Sequence, residues 1–175
     1  MKLLKEINHR EQLNKQGKAL TREAVRGVIL NKDKILLLFS SELGAYMIPG
    51  GGKETGETKE EAIIREILEE CGALVVNIEK ELGIVIENNE TVEREYAIFK
   101  MISCYYLCNV EENNCKPKLE QYDEELGLKP VWVDIEEAIN KNKLLLNSNS
   151  PKASYWFKRD TFILEYIKEK LCRDK

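Results

Sequence analysis

Glu66, Glu69 and Glu70 stand in the run KEEAIIREILEEC at spacings of three and four residues. On a helix such spacings make side chains neighbours, and each like-charge pair costs roughly 0.2–0.5 kcal/mol. Water and salt tolerate that cost, so a solvated acidic face is one reading of these residues. The other is a cation site: hard carboxylate oxygens suit Mg²⁺ or Mn²⁺, which bind carboxylates together with waters and substrate phosphates. A face needed only for solubility would intersperse Lys among its Glu. Here only Arg65 intervenes, and its guanidinium can hold a neighbouring carboxylate in a bidentate pair.

The elements that must position this cluster can be read locally. Thr58 followed by Glu61 forms a capping box, and Gly72 suits the left-handed position past a helix end, so the helix is predicted over about residues 59 to 71. At 100° per residue, Ile63, Ile64, Ile67, Leu68 and Cys71 share one arc. Ala62, Arg65, Glu66, Glu69 and Glu70 share the opposite one. Ahead of the helix, Gly50, Gly51, Gly52 and Gly56 build a loop whose backbone can approach a ligand closely. It is not a P-loop, because Gly-Lys-Ser/Thr is absent.

Residues 51 to 72 hold seven Glu against Lys53, Lys59 and Arg65, and so carry the whole net charge of −4 of the 175-residue chain. Such a balance argues against a bulk grip on nucleic acid or an anionic membrane and for cations at one site. The single histidine, His9, disfavours Ser-His-Asp, Cys-His and poly-His zinc chemistry. Cys71, Cys104, Cys108, Cys115 and Cys172 are odd in number, and no Cys-x-x-Cys pair or signal-peptide core accompanies them. They read as reduced thiols in a cytoplasm. No apolar stretch reaches the roughly 18 residues of a membrane span.

Residues 1 to 20 are polar and lack a clear period; they read as an arm or short helix without assigned function, ahead of a single domain over 21 to 175. Two β-rich runs flank a hairpin signal at Asn31-Lys32-Asp33-Lys34. Further β-rich stretches follow near 73 to 87 and 94 to 110, the second apolar on both alternating faces, as in a strand covered on both sides. KPVWVDI reads as a short strand, EEAINKN as a helical turn or two, NSNSPKAS as a break, and YWFKRDTFILEYIKEKL as a closing amphipathic helix. The whole is an α/β layered domain with a mixed sheet. Trp156, Phe157 and the last helix either cap the core or make a homodimer contact. Arg22 and Arg26 are candidates to hold phosphates, and Tyr46 or Phe39 to stack on a base, against surface ion pairs and core roles for the same residues.

The segment from Ile48 to Leu74 resembles the Nudix hydrolase signature, Gly-x5-Glu-x7-Arg-Glu-U-x-Glu-Glu-x-Gly-U with U a bulky aliphatic residue. Gly51, Glu57, Arg65, Glu66, Ile67, Glu69, Glu70 and Gly72 fall on its positions, and Ala73 departs at the last. The resemblance implies a Nudix-like α/β/α sandwich with a mixed central sheet and metal-dependent cleavage of a diphosphate linkage in a nucleotide or nucleoside diphosphate-linked metabolite. It implies Glu66, Glu69 and Glu70 as ligands of Mg²⁺ or Mn²⁺, the Gly50 carbonyl as a further ligand, and Arg65 as the group that orients Glu57 or Glu66. Glu66 is the first candidate for the general base, with Glu93, Glu95 and Glu120 behind it. A Nudix-like nucleotide sensor without catalysis is the alternative. The isoprenoid diphosphate isomerases of the same fold use additional His and Cys groups, and His9 lies outside the expected core.

Overall fold

Strand β7 (Ile98–Glu112) organises the molecule. Its alternating side chains split between two cores, Tyr105 and Leu107 in one, Cys104, Tyr106 and Cys108 in the other. In this computed structural model, which describes residues 1–112, 115–148 and 155–171, β7 lies between β6 (Ala73–Asn89) and β2 (Ala19–Val28). It pairs antiparallel with β6 and parallel with β2, Val25 facing Cys104. Strand β1 (Leu3–Asn8) completes this mixed sheet by pairing parallel with β6. A second sheet joins β3 (Leu30–Asn31), β4 (Lys34–Ser40), β5 (Ala45–Met47) and, on β4, β8 (Leu128–Asp134).

Helix α1 (Lys59–Cys71) covers one side through Ile63 and Ile67, packed with Val25 and Leu36. On the other side, α3 (Ile135–Asn147) and α4 (Tyr155–Leu171) bring Ile139, Ile163, Leu164 and Ile167 against Val28 and Leu37. The result is the expected α/β/α sandwich. A short helix, α2 (Gln121–Glu125), leads into β8.

Four local readings change. The N-terminal arm is strand β1, with Leu4 and Ile7 packed on the core. A register shift between Leu3 and Lys5 breaks its alternation, which is why no period of two shows in the sequence. Consequently the His9 side chain is buried, 2% exposed. Helix α3 runs thirteen residues because Asp134 caps it, accepting from the N–H groups of Glu136 and Glu137 at 2.8 and 3.0 Å. In α1, Ile64 is exposed, whereas Ala62, Glu66 and Glu70 are buried, because the glycine loop and residues 115–118 cover that side. The hairpin forms as read, Asn31 facing Lys34. Cys172 and residues 149–154 of the expected break lie outside the described residues.

Candidate active site

The glycine loop is held along β2 by backbone pairing: Val25 N–H donates to Gly51 O at 2.9 Å, Gly27 N–H to Pro49 O at 2.9 Å, and Lys53 N–H to Glu23 O at 3.1 Å. That fixes the loop against α1. The start of α1 is set by the predicted capping box, Glu61 N–H donating to Thr58 Oγ1 at 3.1 Å and Thr58 N–H to Glu61 Oε2 at 2.7 Å. Its end is set by Gly72 at φ 64°. Gly50 has φ 129°, and a Cβ there would overlap Val25 O. At Gly51 a Cβ would sit 2.5 Å from the Glu66 carboxylate, so this backbone forms a cradle that the carboxylate fills.

Arg65 ties the cluster together. Its Nε and Nη2 donate to the two oxygens of Glu57 at 3.2 and 2.9 Å, its Nη1 to Glu66 Oε1 at 2.8 Å and Glu69 Oε2 at 3.1 Å, and its Nη2 also to Gly52 O at 3.1 Å. It thus engages Glu57 and Glu66 at once, where the sequence suggested one or the other. The Glu57 carboxyl is held below its ordinary value by the Arg65 bonds and by the Glu54 N–H. Glu66 goes the other way: burial raises it and outweighs the Arg65 contact. Glu70 accepts from Gly50 N–H at 2.6 Å. Burial pushes it up to about 8 against the opposing pull of Arg26 and that N–H.

One guanidinium serves four carboxyl groups here, two of which, Glu66 and Glu70, are buried, and a divalent cation would favour their charged forms. Among the described residues no three His, Cys, Asp or Glu side chains converge at ligand spacing, since Arg65 engages Glu66 and Glu69 while Glu70 turns to Gly50. The Gly50 carbonyl, expected as a further ligand, accepts from Arg26 Nη1. In donor type alone, hard carboxylate oxygen, Glu66, Glu69 and Glu70 suit a divalent ion.

These groups line one wall of a cleft of about 450 Å³. Residues 118–128 and the start of α4 line it as well, and contribute Lys118, Glu120, Tyr122, Asp123, Trp156 and Arg159. Arg26 lines the cleft. Arg22 does not; it is exposed on β2. Tyr46 is a correction: it is buried between β5 and α3, its O–H donates to Glu137 Oε1 at 3.2 Å, and Phe39 packs on it with ring centroids 5.1 Å apart. Neither ring lines the cleft. Of the outlying base candidates, Glu120 lines the cleft, and Glu93 and Glu95 do not.

Sequence reasoning missed Asp123, Tyr122 and Arg159, which no local pattern joins to α1. Burial raises the Asp123 carboxyl, and the Glu120 charge adds to it. Arg159 donates to Glu87 Oε2 at 3.0 Å and to both Asp160 oxygens at 3.0 and 3.3 Å, and His9 Nε2 lies 3.0 Å from Glu87 Oε1. Phe157 is fully buried and Trp156 faces the cleft, so this pair serves the chain's own core and cleft.

Fold and site define an α/β/α sandwich that presents a surplus of carboxylate to one wall of a cleft. The NUDIX domain family model matches residues 20–157, and the chain belongs to that family, whose members use divalent metal ions. A Nudix hydrolase of Bacillus subtilis, YvcI, is 30% identical over 99 residues, 55% of this chain and 62% of that protein. An ADP-ribose pyrophosphatase of Methanocaldococcus jannaschii is 44% identical over 64 residues, 35% of this chain and 37% of that protein. Diphosphoinositol polyphosphate phosphohydrolase 3-alpha of Mus musculus is 30% identical over 111 residues, 62% of this chain and 59% of that protein. The chain thus spans less than two thirds of the length of these curated relatives. In fold it is similar to a NUDIX hydrolase from Nitrosomonas europaea, with TM-score 0.58, 22% identity, and 86% and 91% of the two chains covered. Among the described residues no helix is long and apolar enough to cross a membrane.

Proposed function

We propose that this protein hydrolyses a diphosphate linkage in a nucleotide or nucleoside diphosphate-linked metabolite, with Mg²⁺ or Mn²⁺ at Glu66, Glu69 and Glu70. The observation that carries this reading is the surplus of carboxylate over guanidinium at the cleft wall, two of its members, Glu66 and Glu70, being buried. The named pyrophosphatase and phosphohydrolase relatives support chemistry at a diphosphate. A divalent ion, when bound, draws electron density from a phosphoryl oxygen and acidifies water, which is how hydrolysis can proceed without histidine.

The chain's own residues set the geometry. Arg65 is a positioning residue: it clamps Glu57 and engages Oε1 of Glu66, which leaves Oε2 of Glu66 as the acceptor for the proton of the attacking water. Gly50 N–H holds Glu70 in place. Arg26, at the cleft floor, brings positive charge toward the phosphate. The sensor alternative would keep the cleft without needing all three carboxylates, and all three are present. The free thiols of Cys71, Cys104, Cys108 and Cys115 agree with a cytoplasmic protein.

The test is release of phosphate or diphosphate over a nucleotide panel with Mg²⁺ or Mn²⁺, with Glu66→Gln as control. Turnover that needs the metal and disappears in the variant supports the reading. Tight nucleotide binding without turnover on any substrate assigns the sensor instead.

A further inference from the structure

Two distant parts of the chain meet at Glu87. His9, directly after β1, places Nε2 3.0 Å from Glu87 Oε1, and Arg159 of α4 donates from Nη1 to Glu87 Oε2 at 3.0 Å. Both stand outside residues 20–157, the stretch that matches the family. A carboxylate only accepts, so the hydrogen of the first contact sits on His9 Nε2. The backbone fastens His9 there too: its N–H donates to Asn88 O at 3.0 Å. Asn88 Nδ2 in turn donates to Asn8 Oδ1 at 3.0 Å and to Glu6 Oε1 at 2.8 Å, which ties the end of β1 to β6 beside Glu87.

Arg159 is buried yet lines the cleft, and it also lines a smaller cavity of about 110 Å³ that His9 and Glu87 border. A guanidinium has five N–H donors. Nε and Nη2 of Arg159 engage the two Asp160 oxygens at 3.0 and 3.3 Å, and Nη1 engages Glu87. Two donors remain, one on each Nη. Asp160 is the next residue of α4 and moves with Arg159, so it cannot fix the guanidinium relative to the sheet. Glu87 can, because it stands on β6. The terminal torsion of a Glu side chain is broad, and His9 holds the oxygen that Arg159 leaves free. In a buried site no bulk water stands ready to replace that hydrogen bond.

We propose that His9 is a positioning residue for the cleft: acting through Glu87, it holds the Arg159 guanidinium where that group meets an anionic part of the substrate. This assignment rests on the diphosphate reading of the same cleft. It makes β1 part of the frame that keeps a cleft cation in one geometry.

The test uses the full chain with His9→Ala, His9→Gln, Arg159→Lys and the double variant His9→Ala/Arg159→Lys. In calorimetric titration with inorganic diphosphate in Mg²⁺, His9→Ala and Arg159→Lys should each raise Kd about tenfold. The double variant should bind no more weakly than Arg159→Lys, since the two residues act as one unit. His9→Gln, whose amide N–H can stand where Nε2 does, should stay within about twofold of wild type. NMR reports the position directly: the guanidinium N–H signals of Arg159, identified by their absence from Arg159→Lys, should exchange faster with water in His9→Ala but not in His9→Gln. Thermal melts identify a variant that fails to fold; should His9→Ala do so, His9→Asn, whose amide ends at the position of Nδ1, takes its place.

Wild-type affinity for diphosphate in a folded His9→Ala of lowered melting temperature would make His9 structural alone and overturn the proposal. Additive losses in the double variant, or failure of His9→Gln to restore affinity, would do the same. Faster Arg159 exchange in His9→Ala, in a chain that neither binds diphosphate nor turns over any substrate, leaves the positioning standing and removes the diphosphate reading. Metal-dependent turnover with Arg159 exchange unmoved does the reverse.

Discussion

Two guanidinium–carboxylate systems flank the cleft, built from the same chemical groups. At the rim, Arg65 meets Glu57, Glu66 and Glu69, with Glu70 beside them, and the acids outnumber the base. Beneath the cleft, Arg159 is matched by Glu87 and Asp160 with His9 on the far side of Glu87, all nearly inaccessible to water. The first is partly open to solvent and unbalanced, the second closed and nearly balanced. A balanced buried network holds a fold together or fails with it, whereas surplus acid at a cleft is chemistry that awaits a cation.

The largest expected effect breaks the rim. Glu66→Gln or Glu70→Gln should lower metal-dependent turnover by at least roughly 100-fold, the upper end of what removing an outer partner of a metal ligand costs, while thermal melts show a folded protein. Unchanged kcat/KM in both would remove the functional half of the contrast. Next, Glu87→Gln should destabilise by about 3–5 kcal/mol, the usual cost of breaking a buried pair, read by urea denaturation at pH 7. A loss confined to turnover would show that the lower network is also catalytic.

The same network has a pH signature. Burial pushes the Glu87 carboxyl up, but the facing His9 and Arg159 outweigh it and hold it below its ordinary 4.5. A depressed carboxyl contributes stability that is complete above the unfolded value and is lost as pH falls through the folded one. The melting-temperature gap between wild type and Glu87→Gln should therefore be full at pH 7 and close progressively below about 4.5. A gap that is constant down to pH 3 would sink this account.

Adjacent glycines sharpen the comparison further. Gly50→Ala puts a methyl group into backbone at positive φ and should cost more than about 1 kcal/mol of stability. Gly51→Ala meets only the end of the Glu66 side chain, which can move, so it should melt near the wild-type temperature but turn over more slowly. The smallest effect is Thr58→Ala, about 1 kcal/mol from loss of the cap, with little change in kcat once the variant is folded.

The two systems also differ in how far the sequence discloses them. Thr58, Glu61, Arg65, Glu66, Glu69, Glu70 and Gly72 lie within fifteen residues, and helix periodicity and capping rules act over that range, so the limits of α1 and the proximity of its carboxylates are readable. Periodicity also misplaced a face. It grouped Ile64 with the apolar residues and left a solvated acidic face open as one reading, whereas Ile64 is exposed and the backbone of residues 49–53 buries Glu66 and Glu70, and no helical wheel contains that loop. Between base stacking and a core role, both open to Tyr46 in the sequence, tertiary structure chose the core, because the turn before β5 sends it toward Asn142 and Glu137.

The sequence by itself determined the acidic helix, the loop ahead of it and the two-sided strand, because each is specified by interactions within a few residues or by a face pattern repeated along one element; the sandwich followed from the resemblance of residues 48–74 to the Nudix signature. Tertiary structure alone decided which carboxylates are desolvated, that Tyr122, Asp123 and Trp156 line the same cleft, and that His9 sits against Glu87 seventy-eight positions away. These contacts depend on strand order and on how loops close over a helix. Desolvation, which raises the Glu66 and Glu70 carboxyls, depends on neighbours that the chain brings together only when it folds.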